Sequence, residues 1–175
     1  MARRSSAEDL SVLLDTHGTG RARVETGLPV LDDIVALLAR SAQFDLDLES
    51  HAGGGEEEVD AVGRALGRAL AEALARPGAR GIGAATAPAD EALAHVPLEA
   101  SGRPLVVTNV DLTSAHIGGL RRDLLARLLE GLAEAAGLTL HVRLLHGEDT
   151  GHVLDAIVKA LGLALAEACT TARRA

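Results

Sequence analysis

Two places in this 175-residue chain open a helix with side chains able to do chemistry. Glu56, Glu57 and Asp60 stand at the first, and Gly151, His152 and Asp155 at the second. Side chains three or four residues apart share a helical face, so Glu57 joins Asp60 and His152 joins Asp155. Carboxylates grouped in this way hold a hard cation or act as general acid and base. The plainer role for the same residues is to cap the helix and complement its dipole. Arg103, just after the Ser101-Gly102 turn, and Lys159, on the second of these helices, are cations suited to phosphate. For Lys159 a salt bridge to Asp155 at i, i+4 is the competing role. Other motifs are weaker. Gly81-Ile82-Gly83 lacks the rest of a dinucleotide fingerprint, and Ser101 is not in a nucleophile elbow. His141 reads as a packed strand histidine. His17, His95, His116 and His146 have no ligand-type neighbour at short spacing.

The elements that must position these residues follow from periodicity. Leu10 to Leu14 and Arg21 to Glu25, separated by a turn at Asp15 to Gly20, read as a β-hairpin. Pro29 opens a helix through Ala42, and Phe44 to Leu48 alternates as a strand. Gly53-Gly54-Gly55 breaks the chain before a helix over Glu56 to Ala75, which Arg76-Pro77-Gly78 stops. In the second half, Ile82 to Ala87, Leu93 to Glu99 and Leu105 to Val110 read as strands. A helix over Gly119 to Ala136, a strand over Leu138 to Leu145, a loop over His146 to Gly151 and a helix over His152 to Ala168 follow.

That order is repeated, and so are residues. Asp60–Ala73 shifted by 95 positions meets Asp155–Ala168 with ten of fourteen positions identical. Leu38, Ala39, Ala42 and Leu46 meet Leu132, Ala133, Ala136 and Leu140 at an offset of 94. The chain therefore reads as an α/β (α+β) fold. Its plan is a tandem duplication of a β-hairpin–helix–strand–helix unit, with halves at about 4–76 and 79–168 and a polar tail at 169–175. Halves of this size are marginal alone, so one domain with a shared core is expected.

Composition excludes several classes of function. Lys and Arg total 17 against 25 Asp and Glu, a formal charge of −8. A general electrostatic grip on nucleic acid or an anionic membrane is not expected. Phe44 is the only aromatic residue, which removes base-stacking platforms. Cys169 is the only cysteine, which rules out an internal disulfide and fits a reducing cytoplasm. No stretch reads as a signal peptide or a membrane span.

Five segments in order resemble the motifs of one family. Thr26-Gly27-Leu28-Pro29-Val30-Leu31-Asp32-Asp33 resembles TG-x-x-FLDHM, and Pro88 to Leu93 resembles PMDEAL. Ser101-Gly102-Arg103-Pro104 matches SGRP, and Thr139-Leu140-His141 matches TLH. Gly151 to Ala160 resembles HH-x-x-EA-x-FKA. Together they resemble the imidazoleglycerol-phosphate dehydratase family. The resemblance implies a duplicated α/β fold and assembly into a homo-oligomer well above a dimer. It also implies elimination of water from imidazoleglycerol phosphate with two manganese ions held by two HH-x-x-E motifs and further histidines. Here those positions fall on Glu56, Glu57 and Asp60, and on Gly151, His152 and Asp155. Two further histidine positions fall on Asp33 and Arg127. Arg103 and Lys159 match phosphate-binding positions. The other phosphate arginine falls on Gly81, beside Arg80, and Asp90 lies in the PMDEAL-like segment. Glu8 matches an N-terminal acid.

Most imidazoles are thus replaced, so transition-metal binding is expected to be absent or weak. If any metal is held, Glu56, Glu57, Asp60, His152 and Asp155 are its ligands. Asp33 and Arg127 stand 94 apart at repeat-equivalent positions. An Asp33–Arg127 pair, with Arg127 near the other carboxylates, is the expected substitute for the metal's charge. Catalytic candidates are Glu8, Asp33, Glu57, Asp60, Arg127, His152 and Asp155, and the substrate side is Arg80, Asp90, Arg103 and Lys159. Three functions remain in view. One is a diverged lyase acting on a phosphorylated or anionic small molecule. The others are a structural or regulatory pseudoenzyme and a working dehydratase of histidine biosynthesis.

Overall fold

Alternating exposure along most of the strands shows which side of each sheet meets the helices. The structure, a computed structural model, describes residues 10–51, 55–111 and 123–171. The first half runs β1 (Leu10–Asp15), β2 (Ala22–Glu25), α1 (Pro29–Ala42), β3 (Asp45–Ser50) and α2 (Glu56–Leu74). The second runs β4 (Ile82–Ala89), β5 (Ala92–Glu99), β6 (Leu105–Thr108), α3 (Leu124–Ala136), β7 (Thr139–His146) and α4 (Thr150–Cys169). The sheets are ordered β1-β3-β2 and β4-β5-β7-β6.

The expected hairpin of β1 and β2 does not form. β3 lies between them, antiparallel to β1 and parallel to β2. The reason is local. Asp45 Oδ1 accepts hydrogen bonds from the Thr19 and Arg21 backbone N–H groups at 2.8 and 2.9 Å, which wraps the turn around the start of β3. A Cβ on Gly18 would come within 2.4 Å of the Asp45 nitrogen, so only glycine fits that crossing. In the second half β4 and β5 do form a hairpin, and among the described residues β4 has no first-half counterpart.

The two halves otherwise agree in register. Leu14 and Ala22 both pair with Leu46, and Leu98 and Val106 both pair with Leu140. Helix α1 begins as its sequence dictates, with Pro29 in the first turn. Asp32 Oδ1 accepts from the buried Thr26 hydroxyl at 2.6 Å and from its N–H at 2.9 Å, which fixes the entry of the helix. Helix α4 starts two residues earlier than its periodicity indicates, because Asp149 caps it by accepting the His152 N–H at 3.1 Å. Cys169 ends that helix in the core, and Thr171 pairs with Ala79. The expected polar tail is therefore ordered at its start. The helix expected from Gly119 begins at Leu124 among the described residues.

Each half's helices cover its own sheet, and the helix layers pack crosswise, α2 on α3 and α1 on α4. Glycines permit the approach. A Cβ on Gly67 would meet Leu132 O at 2.6 Å, and one on Gly162 would meet Leu38 O at 2.7 Å. Leu129, Leu132, Leu140, Ile157 and Leu165 are fully buried in this shared core.

Candidate functional site

Two polar clusters form where helices α2 and α4 begin. At the first, Arg127 on α3 reaches across to α2. Its Nε and Nη2 donate to the two oxygens of Asp60 at 3.0 and 2.7 Å, and Nη1 donates to Glu56 Oε2 at 2.8 Å. Asp123, one turn before Arg127, adds a carboxylate at 3.8 Å. A planar guanidinium suits this two-pronged grip on a carboxylate. Arg127 holds the Asp60 carboxyl below its ordinary range. Glu56 and Asp60 share a face because they are one turn apart. Glu57 lies off that face and is exposed. The expected Asp33–Arg127 pair is not made. Asp33 sits exposed on α1, which packs on α4 rather than α3, so the arginine binds its own neighbours on α2 instead.

The second cluster joins the β4–β5 turn to α4. His152 Nδ1 is 2.5 Å from Glu91 Oε2, and its Nε2 is 3.3 Å from Asp90 Oδ2. Glu91 also accepts the Asp149 backbone N–H at 3.0 Å. Asp90 takes a left-handed backbone (φ 48°), which aspartate tolerates better than most residues. The Asp149 N–H and the His152 imidazole pull the Glu91 carboxyl down to about 2. Glu91 in turn raises the pKa of His152. Lys159, two turns further along α4, donates from Nζ to Pro88 O at 3.4 Å rather than bridging to Asp155. Asp155 is exposed.

These opposite shifts fix the pH at which the clasp is strongest. The raised His152 contributes fully below 6.5 and loses its contribution as pH rises through its higher folded value. The depressed Glu91 contributes fully above 4.5 and loses it as pH falls towards about 2. His152→Ala is therefore expected to destabilise most between these two limits and progressively less above them. Denaturation of parent and variant across a pH series measures it, and an equal difference at pH 5.5 and pH 9 refutes it.

Other candidates stand apart. Arg80 binds Glu167 at 2.8 Å near the far end of α4, roughly 22 Å along the helix from His152 at 1.5 Å per residue. Arg103 and Lys159 do not converge within one chain. The carbonyl of Arg103 accepts from Thr139, which pairs with Glu99 at one end of β5, whereas Pro88 pairs with Leu93 near the other. Six residues of strand separate those ends by about 20 Å. Glu8 and His116 lie outside the described residues. A groove of ≈ 610 Å³ between residues of β1, β2 and β3 shares no residue with either cluster.

The sequence reading missed Glu91, Asp123 and Glu58. Glu91 was visible in the Pro88–Leu93 segment beside Asp90, and Asp123 at i, i+4 from Arg127. Glu58 is 3% exposed with no partner for either carboxylate oxygen among the described residues, which no spacing rule indicates. Cys169 is not a nucleophile candidate, since burial pushes its thiol up to about 11.

The description of imidazoleglycerol-phosphate dehydratase matches residues 26–165, four-fifths of the chain. The chain belongs to the imidazoleglycerol-phosphate dehydratase family. It is 38% identical to the imidazoleglycerol-phosphate dehydratase of Burkholderia mallei, over 100% of this chain and 92% of that protein. It is 34% identical to that of Acetivibrio thermocellus, over 96% and 88%. The crystal structure of the Staphylococcus aureus imidazoleglycerol-phosphate dehydratase matches with a TM-score of 0.84 at 26% identity, covering 93% of this chain and 94% of that one. The Pyrococcus furiosus enzyme in complex with (S)-C348 matches at 0.82 and 26%, covering 99% and 96%. The mixed α/β architecture is thus that of the dehydratase family. The manganese pair implied by the family resemblance does not fit the residues here. A guanidinium fills the first cluster and cannot ligate. Among the described residues no group of three or more His, Cys, Asp or Glu is placed to hold a metal ion.

Proposed function

We propose that this protein is a hydro-lyase that eliminates water from imidazoleglycerol phosphate or a close phosphorylated analogue. The observation that carries the reading is 38% identity to a named dehydratase over 100% of this chain and 92% of that protein. Elimination needs a group to take a proton from carbon and one to protonate the departing hydroxyl. His152, held between Glu91 and Asp90 with its pKa raised, is suited to carry a proton near neutral pH. Arg103 and Lys159 are the proposed phosphate contacts. Because they lie at opposite ends of β5, one phosphate meets both only when a second copy supplies one of them, so the proposal includes a homo-oligomer working in the cytoplasm.

A second reading, a structural or regulatory subunit without turnover, is favoured by one observation. Arg127 is bonded to Glu56 and Asp60, two positions from which the family resemblance implies catalytic ligands. Turnover of imidazoleglycerol phosphate by the purified protein, measured without metal and with added Mn²⁺, separates the two. Activity that falls in His152→Ala supports the lyase. Absence of turnover under both conditions, with oligomer formation intact, supports the subunit. A separate measurement addresses the anion site. Inorganic phosphate is expected to raise the melting temperature by mass action, and Arg103→Ala and Lys159→Ala are each expected to abolish the rise. An unchanged response in both variants removes these two cations from the site.

A further inference from the structure

The correspondence between the halves extends to atoms at the helix crossings, and this isolates what Arg127 does. A Cβ on Gly67 would meet Leu132 O, Ala135 Cβ and Ala136 N at 2.6, 2.7 and 3.1 Å. A Cβ on Gly162 would meet Leu38 O, Ser41 Cβ and Ala42 N at 2.7, 2.8 and 3.1 Å. The α2–α3 crossing and the α4–α1 crossing are therefore the same packing made twice. Under that correspondence Asp155 stands where Asp60 stands, and Asp33 stands where Arg127 stands. One crossing carries an arginine at this position and the other a carboxylate, and both pack alike. Helix packing alone does not require the arginine.

Charge accounts for it. Glu56 and Asp60 bond to Arg127 and Asp123 lies 3.8 Å away, so among the described residues carboxylates from both helices gather on this cation, with Arg64 adding a weaker charge at Asp60. The guanidinium spends Nε, Nη1 and Nη2 on them, and it neither deprotonates in a protein nor offers a lone pair. We propose that Arg127 is a resident cation that permanently closes the α2–α3 cluster, so that this cluster binds no metal ion and its positive charge is built into the chain. The arrangement is one-sided, because the equivalent position in the other crossing is Asp33. It stands independently of whether the protein turns over substrate.

Equilibrium dialysis of the full-length protein against Mn²⁺, with bound metal counted by mass spectrometry, tests the closure alongside thermal melting. The parent is expected to retain no Mn²⁺ at this cluster, and its melting temperature is expected to be the same with EDTA. Arg127→Ala is expected to melt lower and to recover part of the loss when Mn²⁺ is added. Arg127→Lys, which keeps the charge without the fork, is expected to recover part without metal. Tightly held Mn²⁺ in the parent that Asp60→Asn abolishes overturns the proposal, as does an Arg127→Ala protein as stable as the parent with and without Mn²⁺. Mn²⁺ retained equally by parent and Asp60→Asn places that ion elsewhere and supports the closure. Should Arg127→Ala fail to fold, the parent, Asp60→Asn and Arg127→Lys measurements decide alone.

Discussion

Leucine at Gly67 or at Gly162 is expected to destabilise the protein by about 3 kcal/mol or more, at the upper end of what overpacking costs. The neighbour at each position is backbone, not a side chain that can swing away. A Cβ at 67 would sit 2.6 Å from Leu132 O, and one at 162 would sit 2.7 Å from Leu38 O. The remaining leucine atoms have only the helix interface to enter, so the helices must separate. Because each crossing joins one half to the other, the loss falls on the shared core and not on a local turn. Urea denaturation checks it: the midpoint should fall for both variants by similar amounts. If Gly162→Leu is tolerated and Gly67→Leu is not, the two crossings are not mechanically equivalent.

Leu129→Ala is expected to cost about 2–5 kcal/mol, through lost burial plus the cavity left behind. Leu129 on α3 is 0% exposed, in a core with one aromatic residue and many alanines. Small neighbours have few rotamers with which to fill a leucine-sized hole, which favours the upper part of that range. The denaturation midpoint should drop with an unchanged slope. A loss below 1 kcal/mol means that α3 moves inward to close the hole.

The clusters explain which site features were legible in sequence. The first turns of α2 and α4 were visible because acids, glycines and a histidine stand at helix-opening spacings. Placing Arg127 near Glu56 and Asp60 followed from the family resemblance, and the contacts confirm that part. Arg127 does not pair with Asp33, because equivalence in a repeat is not adjacency. Equivalent residues occupy equivalent environments, and here the environments are two different helix crossings, α2 on α3 and α4 on α1. Arg103 and Lys159 both belong to the second half, yet their anchors lie near opposite ends of β5, a separation that their positions in the sequence do not reveal.

The sequence by itself determined the elements, the repeat and the family. Apolar periodicity records which face of each helix and strand is buried, and the offsets of 94 and 95 record the two halves without knowledge of their contacts. Tertiary structure alone decided the insertion of β3 between β1 and β2, the crosswise packing of the helices, the clasp of Glu91 on His152 and the burial of Glu58. Each depends on atoms far apart in the chain meeting at a particular distance. Asp45 captures a turn 24–26 residues away, and Arg127 captures carboxylates 67 and 71 residues away. Local spacing carries no information about such encounters, because they depend on how distant backbones approach, as the helices do at glycines 67 and 162.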